Sequence, residues 1–387
     1  MKVCVVSFKE CWPDETGRWC SSGGFPCQME ALGSLFTSMT LVVVGVLSQG
    51  GGTPLPEGAR VVPMRRPAGH DWRRKLSVLF RLPEYVGAML PHVRAADVVH
   101  LPLPGDLALI GLAVALILRK RIVARFAGSW ESTSETTLMD RVTRVGMRLL
   151  AGGRRVMLAT GIGAVPPAPN MSWVAATSIS RPDIARVEPD FDRPVGRPLH
   201  LAYAGRLAPE KGVEDLIEAI ALLRESGRPA PRLTIFGDGP LRKALGDRAH
   251  GRGCADLVTF AGQLGRSELL RALLEADLCV LPSLSESFCK ARLDAMLCGV
   301  PVVTTPVGFG REIVAEDGQR GWIVPAHDPI GLAERLAALG KEVDWPAVRR
   351  RCRAFAEIRT VEDWALTIGR HCARQWNLAL VGGKLCA

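Results

Sequence analysis

The chain has 387 residues, 48% of them hydrophobic, and a formal net charge of +10 from 49 Lys and Arg against 39 Asp and Glu. That length accommodates two domains, each burying its own core, and that apolar content excludes an intrinsically disordered protein. The surplus of positive charge asks for an anionic partner.

In chain order, residues 2–7 read as a buried strand, 9–23 as a long loop and 25–36 as a helix. Gly23 and Gly24 stand at that loop-to-helix junction. Such a pair either lets a ligand approach the backbone closely or makes a plain tight turn. Strands are expected at 41–47 and 59–63 around a turn-rich connection at 50–57, and 72–90 is mostly helical with a break at Pro83. Further strands at 97–101, 121–125 and 155–159, separated by helical runs, complete a doubly wound α/β pattern. The apolar run 107–118 is too short to span a bilayer and reads as a buried helix. No apolar signal segment follows residues 1–8, because Lys9, Glu10 and Pro13 intervene, so the cytoplasm is the expected compartment.

The positive charge gathers in the first half. Arg65, Arg66, Arg73, Arg74, Lys75 and Arg81 cluster around Trp72, and Arg141, Arg144 and Arg148 recur at helical spacing beside Val142, Val145 and Leu149. Either this face makes peripheral contact with an anionic membrane, with Trp72 at the interface, or it is a solvated arginine-rich surface whose apolar stripe packs inward. Nucleic acid is not expected, since no aromatic RNA-binding signature, finger or zipper is present. Of eleven cysteines, Cys4, Cys279, Cys298 and Cys352 lie inside apolar patterns, and Cys11, Cys20 and Cys27 match no zinc spacing. Reduced thiols and no metal site are expected.

Pro, Gly, Asp and Arg accumulate at 161–169 and 181–198, and the linker is placed at 193–197. This gives domains 1–192 and 198–360, with 361–387 a helical segment open to packing back on the first. Asp190-Phe191-Asp192 matches an Asp-x-Asp pattern that some sugar transferases use for a metal, but beside a Pro-rich stretch it reads as linker. The second half opens with a strand at 199–204 and continues with strands at 233–236, 258–261, 278–281, 300–304 and 322–324, a second doubly wound unit. After its first strand, Gly205 and Gly212 bound a loop carrying Arg206 and Lys211. Two cations at a strand's carboxyl end could clamp a diphosphate, or they could be ordinary surface charges.

Residues 277–305 combine a buried strand, a polar loop with Ser283, Ser285, Glu286 and Ser287, and a helix from about Cys289 that Gly299 and Pro301 stop. A helix N-terminus at a parallel strand's carboxyl end favours phosphate. Glu286 could accept hydrogen bonds from sugar hydroxyls or merely cap the helix; Asp294 could take ribose hydroxyls or face solvent.

Gly205-Arg206-Leu207 with Lys211-Gly212, Phe236-Gly237-Asp238-Gly239-Pro240-Leu241-Arg242, Phe260-Ala261-Gly262, the run from Ala276-Asp277 through Pro282-Ser283 to Glu286, and Asp294-Ala295-Met296 with Gly299-Val300-Pro301-Val302-Val303 form an ordered set. On these motifs the chain resembles the retaining glycosyltransferases of the GT-B fold, more narrowly the group-1, family 4 type. The resemblance covers residues 199–340; the first half matches in outline, through Gly23-Gly24 and Asp97-Val98-Val99-His100. It implies two Rossmann-like domains facing a cleft, with a nucleotide diphosphate sugar on the second and a glycan or lipid-linked acceptor on the first. It also implies retention of configuration and no required cofactor or metal. Arg206, Lys211 and Glu286 would be catalytic, and Gly205, Ser287, Phe288, Cys289 and Asp294 would bind the donor. Gly23, Gly24, His100 and Glu131 would serve the acceptor or its phosphate. The family has Glu where this chain has Asp294, and the loop after 121–125 lacks the His found in many relatives.

The expected function is transfer of a sugar in surface polysaccharide or glycoconjugate synthesis, in the cytoplasm or at the inner face of the plasma membrane. A GT-B-fold nucleotide-sugar epimerase and an inactive nucleotide-sugar-binding protein are the alternatives.

Overall fold

The computed structural model describes residues 1–47, 52–69, 71–130, 136–339 and 342–386, save the side chains of Asp71 and Trp72. Its strands are β1 Lys2–Pro13, β2 Trp19–Ser21, β3 Ser38–Gly45, β4 Thr53–Pro54, β5 Arg60–Arg65, β6 Val98–Leu103, β7 Arg121–Phe126, β8 Arg155–Thr160, β9 Met171–Val174, β10 His200–Ala204, β11 Arg232–Phe236, β12 Val258–Gly262, β13 Leu278–Leu281, β14 Val302–Thr304, β15 Gly321–Ile323, β16 Ala379–Val381 and β17 Lys384–Cys386. The helices are α1 Phe25–Gly33, α2 Asp71–Phe80, α3 Leu82–Ala95, α4 Asp106–Ile117, α5 Leu138–Leu150, α6 Arg181–Arg186, α7 Val213–Glu225, α8 Arg242–Gly251, α9 Arg266–Leu274, α10 Lys290–Leu297, α11 Gly310–Val314, α12 Pro329–Ala338, α13 Trp345–Glu357 and α14 Val361–Trp376. They form two compact units, one of Met1–Ser178 with Val361–Ala387 and the other of Ile179–Thr360.

In the first unit β5, β3, β1, β6, β7, β8 and β9 lie side by side, all parallel. Their Val-rich runs are buried on both faces, which is how a parallel sheet hides its strands. One face packs on α3 and α4 through Tyr85, Met89, Val93 and Leu107. The other packs on α1 and α14 through Met29, Leu32, Trp364 and Ile368. Each such side chain contributes roughly 1.5–3 kcal/mol of burial.

The loop expected at 9–23 is instead a hairpin. The second half of β1 pairs with antiparallel β2, with Cys11 opposite Ser21 and Pro13 opposite Trp19. Asp14 makes the turn, its Oδ1 accepting from the backbone N–H groups of Thr16 and Arg18 at 2.9 Å each. Lys9 and Glu10 break the apolar run without breaking the strand, which continues because Cys11, Trp12 and Cys20 are buried behind it.

Helix α5 is turned opposite to the inward-packing alternative. Val142, Val145 and Leu149 are 58%, 52% and 80% exposed, whereas Arg144 is buried. Arg144 Nη1 donates to the Trp130 carbonyl at 2.7 Å, so the cation faces the protein and the apolar stripe faces out.

The second unit is a six-stranded parallel sheet in the order β12-β11-β10-β13-β14-β15. Chain order reverses at β10, which lies between β11 and β13, so the loops leaving β10 and β13 diverge at a switch point. The division between units falls after Ser178, ahead of the stretch 193–197 expected as linker. Residues 179–192 pack on the second unit instead: Arg353 donates to the Ile184 and Val187 carbonyls at 2.9 and 3.1 Å, and Arg349 to that of Phe191 at 3.2 Å. Asp192, within the Asp-x-Asp tripeptide, pairs with Arg350 at 2.8 Å.

Candidate functional site

Three loops at the carboxyl ends of β10, β11 and β13 are knitted together. Leu207 N–H donates to the Asp238 carbonyl at 3.0 Å, and Leu241 N–H to the Leu207 carbonyl at 3.1 Å. Leu284 N–H donates to the Glu210 carbonyl at 2.9 Å. Gly212 sits in the left-handed region at φ 63°, and a Cβ there would lie 2.2 Å from the Pro282 carbonyl oxygen. Only glycine lets the Arg206–Lys211 loop approach the end of β13 this closely.

That approach brings Lys211 to Glu286. Lys211 Nζ donates to Glu286 Oε1 at 2.5 Å, with side-chain exposures of 18% and 12%. Ser283 Oγ lies 3.4 Å from the same carboxylate oxygen. Arg206 differs: its side chain is 67% exposed and pairs with Glu210 at 2.5 Å. Burial pushes the Glu210 carboxyl up, but backbone hydrogen bonding and the Arg206 guanidinium outweigh this and leave it below its ordinary value. Both cations of the loop are thus paired with carboxylates, Arg206 at the surface and Lys211 where solvent has little access.

Helix α10 begins just past Glu286. Cys289 is its N-cap in the left-handed region, at φ 53° and ψ 78°, with no side-chain cap. The backbone N–H groups of Ser287, Phe288 and Cys289 donate to no backbone carbonyl among the described residues. Phe288 is buried with its ring 6.2 Å from that of Phe309. The Cys289 thiol is pushed up to about 11, first by burial and then by the Glu286 charge.

Asp294 does not face solvent. It is buried, and its Oδ1 accepts from Arg266 Nη1 at 2.8 Å, while Arg266 Nε reaches Asp183 Oδ2 at 3.2 Å. Burial opposes the Arg266 charge, but the Asp294 and Asp183 carboxylates prevail and raise its pKa above the usual arginine range.

Of the residues expected in the first unit, Gly23 lies at φ 69° with nothing near its missing side chain, and Gly24 is the N-cap of α1. His100 is not on a loop: it is within β6, opposite Val5 and Val123, and buried. Glu131 and the side chain of Trp72 lie outside the described residues. Among the described residues, no three His, Cys, Asp or Glu are grouped to hold a metal ion.

Residues 190–357 match the family described as glycosyl transferases group 1. This segment is a group 1 glycosyltransferase domain. Similar proteins include a glycogen synthase of Mycobacterium tuberculosis, 40% identical over 44% of this chain and 41% of that one. A D-inositol 3-phosphate glycosyltransferase of Jonesia denitrificans is 38% identical over 42% and 41%. A 2-deoxystreptamine N-acetyl-D-glucosaminyltransferase of Streptomyces fradiae is 31% identical over 61% and 56%. The chain thus spans about two fifths of the length of the first of these curated relatives. Among solved structures, sucrose-phosphate synthase from Thermosynechococcus elongatus superposes with a TM-score of 0.73 at 19% identity, covering 97% of this chain and 99% of that one. Anabaena HepE in complex with UDP-glucose superposes with a TM-score of 0.68 at 17% identity, covering 97% and 99%. At these identities the likeness is one of fold, the two-unit GT-B fold.

Within the group 1 domain, two arginines escaped the reading of the sequence. Arg266 opens α9, and no spacing pattern links it to Asp183 or Asp294. Arg292 is fully buried, donating from Nε to Thr304 Oγ1 at 3.0 Å, from Nη1 to the Gly308 carbonyl at 2.7 Å and from Nη2 to the Val307 carbonyl at 3.0 Å. It thereby ties α10 to β14 and to the loop at 305–309. Gly308, at φ 57°, would place a Cβ 2.7 Å from that of Glu286, so Arg292 holds this loop against the Glu286 side chain. The only advance signal was an arginine at an apolar helix position.

Proposed function

We propose that the protein is a retaining glycosyltransferase that moves one sugar from a nucleoside diphosphate sugar to a glycan or lipid-linked acceptor, in surface polysaccharide or glycoconjugate synthesis. The observation that carries this reading is the Lys211–Glu286 pair, 2.5 Å apart beside the N–H groups that open α10. As the bond between the anomeric carbon and the diphosphate oxygen breaks, negative charge grows on the leaving group. Arg206 and Lys211 stabilise that charge, and uncapped N–H groups of Ser287, Phe288 and Cys289 add donors where water is partly excluded. Glu286 accepts hydrogen bonds from the sugar hydroxyls and keeps Lys211 in place between turnovers. Gly205 lets the chain turn at the end of β10. Asp294 takes the ribose hydroxyls in addition to Arg266, since a carboxylate has about four acceptor positions. No side chain is assigned as general base and no metal is required. Gly23, Gly24 and His100 serve the acceptor in the first unit.

A UDP-linked sugar is the first donor to test, because HepE is solved with UDP-glucose. The relatives' names leave the acceptor open between polymer and small molecule. The outward apolar stripe of α5, beside Arg141, supports a lipid-linked acceptor at the inner face of the plasma membrane. Among the described residues no helix is long and apolar enough to cross a membrane, so the contact would be peripheral.

The test is a panel of UDP-, GDP-, ADP- and TDP-sugars scored by ligand-observed NMR, followed by assay of nucleoside diphosphate release. One donor should saturate and be consumed, and Arg206→Ala and Lys211→Ala should each reduce consumption while remaining folded. Unreduced turnover in both variants would remove the clamp from the mechanism.

A further inference from the structure

The face of the first unit's sheet covered by α1 and α14 is mostly apolar, and a diagonal of polar side chains crosses it. His100 pairs across β6–β7 with Val123, and Arg125, two residues further along β7, pairs across β7–β8 with Leu158. Thr160 is two residues beyond Leu158. Residues two apart on a strand share a face, so His100, Arg125 and Thr160 step across three neighbouring strands beside Val98, Val156 and Leu158.

Among the described residues these three groups are incompletely partnered. His100 is 1% exposed and neither ring nitrogen has a hydrogen-bond partner. Arg125 is 9% exposed; Nη1 donates to Thr160 Oγ1 at 3.2 Å, and Nε has no partner. The guanidinium lies 5.7 Å from the Trp364 ring, whose own buried Nε1–H is also without a partner. Among the described residues Arg125 forms no ion pair with a carboxylate. A buried cation without a counter-ion is costly, and buried donors without acceptors add to that cost. Other deeply buried arginines reach carbonyl acceptors: Arg292 spends its donors on a hydroxyl and two carbonyls, Arg144 reaches a carbonyl, and Arg349, although its Nη2 also lacks a hydrogen-bond partner, donates to the Phe191 and Arg193 carbonyls and lies 4.0 Å from the Asp277 carboxylate.

The donors present suit an oxyanion. Arg125 supplies a fixed positive charge and N–H groups in one plane. Thr160 accepts from Arg125, which leaves its own hydroxyl proton to donate elsewhere. Burial, and then the Arg125 charge, hold His100 neutral, its pKa lowered to about 3. A neutral imidazole offers one N–H to an anion and keeps one nitrogen as an acceptor.

We propose that Arg125, Thr160 and His100 form an oxyanion subsite in the first unit, which receives a phosphate or carboxylate group of the acceptor. The inference rests on the glycosyltransferase reading for the word acceptor, but the site is built from the first unit alone. It narrows the acceptor to an anionic one.

The experiment titrates the full chain with inorganic phosphate in one arm and acetate in the other, following the His100 ring resonances, assigned by their loss in His100→Gln. A saturable shift is expected with at least one anion; phosphate alone identifies a phosphate site, and acetate alone a carboxylate site. Arg125→Gln should abolish the shift, and Thr160→Val, which keeps the cation, should weaken apparent binding about tenfold. Circular dichroism checks that both variants fold, and Thr160→Val decides the matter if Arg125→Gln does not. Lys211→Ala, which disables the proposed donor clamp, should leave the shift intact, so a failed clamp and a failed subsite give different results. No saturable shift with either anion, or one that Thr160→Val leaves unchanged, would overturn the subsite.

Discussion

The ammonium of Lys211 and the carboxylate of Glu286 meet 2.5 Å apart, joining the loop after β10 to the loop after β13. Each neutralises the other where water has limited access. Lys211→Met and Glu286→Gln should each destabilise the fold by about 1–3 kcal/mol, by stranding the remaining charge. The double variant should lose less than the sum of the two. Urea unfolding of all four proteins measures the coupling, and strict additivity would show that the contact carries no energy.

Arg206 is more exposed than Lys211, and among the described residues it pairs with Glu210 on the same loop. Arg206→Ala should change stability by no more than about 0.5 kcal/mol, as expected for a surface position. If it stabilises the departing diphosphate, kcat should fall about 100-fold with a smaller effect on KM. A raised KM at unchanged kcat would assign it to ground-state binding instead.

Arg266 bridges two buried carboxylates, Asp183 and Asp294. Arg266→Met leaves both without their cation and should cost about 3–5 kcal/mol in chemical denaturation. Arg266→Lys, which keeps the charge but loses the planar fork, should recover part of that. Equal losses in the two variants would show that hydrogen-bond geometry matters more than charge.

The parallel strands of both units were legible because burial on both faces leaves contiguous apolar runs, as at 2–7 and 278–281. The far half of β1 was not, since Lys9 and Glu10 imitate a loop and the hairpin depends on what Trp12 and Cys20 meet in space. Arg206, Lys211 and Glu286 were expected on strand-end loops of one sheet, and the structure brings Lys211 and Glu286 together. The Arg266 bridge was invisible because its three members come from α6, α9 and α10, far apart in sequence. Helix α5 shows a different limit: its periodicity was plain, but only Arg144 bonded to the Trp130 carbonyl reveals which side faces in.

His100 gives a pH dependence of known sign. Its folded-state pKa is lowered from 6.5 to about 3, by burial and then by Arg125. The unfolded chain therefore takes up a proton below pH 6.5 while the folded one does not. This contribution to stability is complete above that pH and is lost as pH falls toward the folded value, by up to about 1.4 kcal/mol per pH unit. His100→Gln should flatten the acid limb of a stability–pH curve recorded without phosphate, leaving His92, His371 and the carboxylates of Asp14, Glu210 and Asp256, whose pKa values are also lowered, to contribute to the remaining slope. An unchanged limb would show that His100 titrates normally.

The outward stripe of α5 predicts a lipid dependence. Val142→Glu together with Leu149→Glu alters exposed positions and should leave the melting temperature nearly unchanged. It should reduce co-sedimentation with vesicles containing anionic lipid. Wild-type protein that sediments equally with neutral and anionic vesicles would exclude an electrostatic membrane contact.

Helix α14 completes the core of the first unit: Val361, Trp364, Ile368 and Cys372 share that core with Met29 and Leu32 of α1, and Leu385 N–H donates to the Leu35 carbonyl at 2.9 Å. The first unit is therefore discontinuous, with the whole second unit threaded between its two parts. On a ribosome the nascent chain makes residues 1–178 early, yet the apolar face that α14 covers stays open until residues 361–376 emerge. The second unit, continuous in sequence, can close first. Translation order and folding order are thus opposed, and in the interval a sheet face several strands wide is exposed to chaperones and to aggregation.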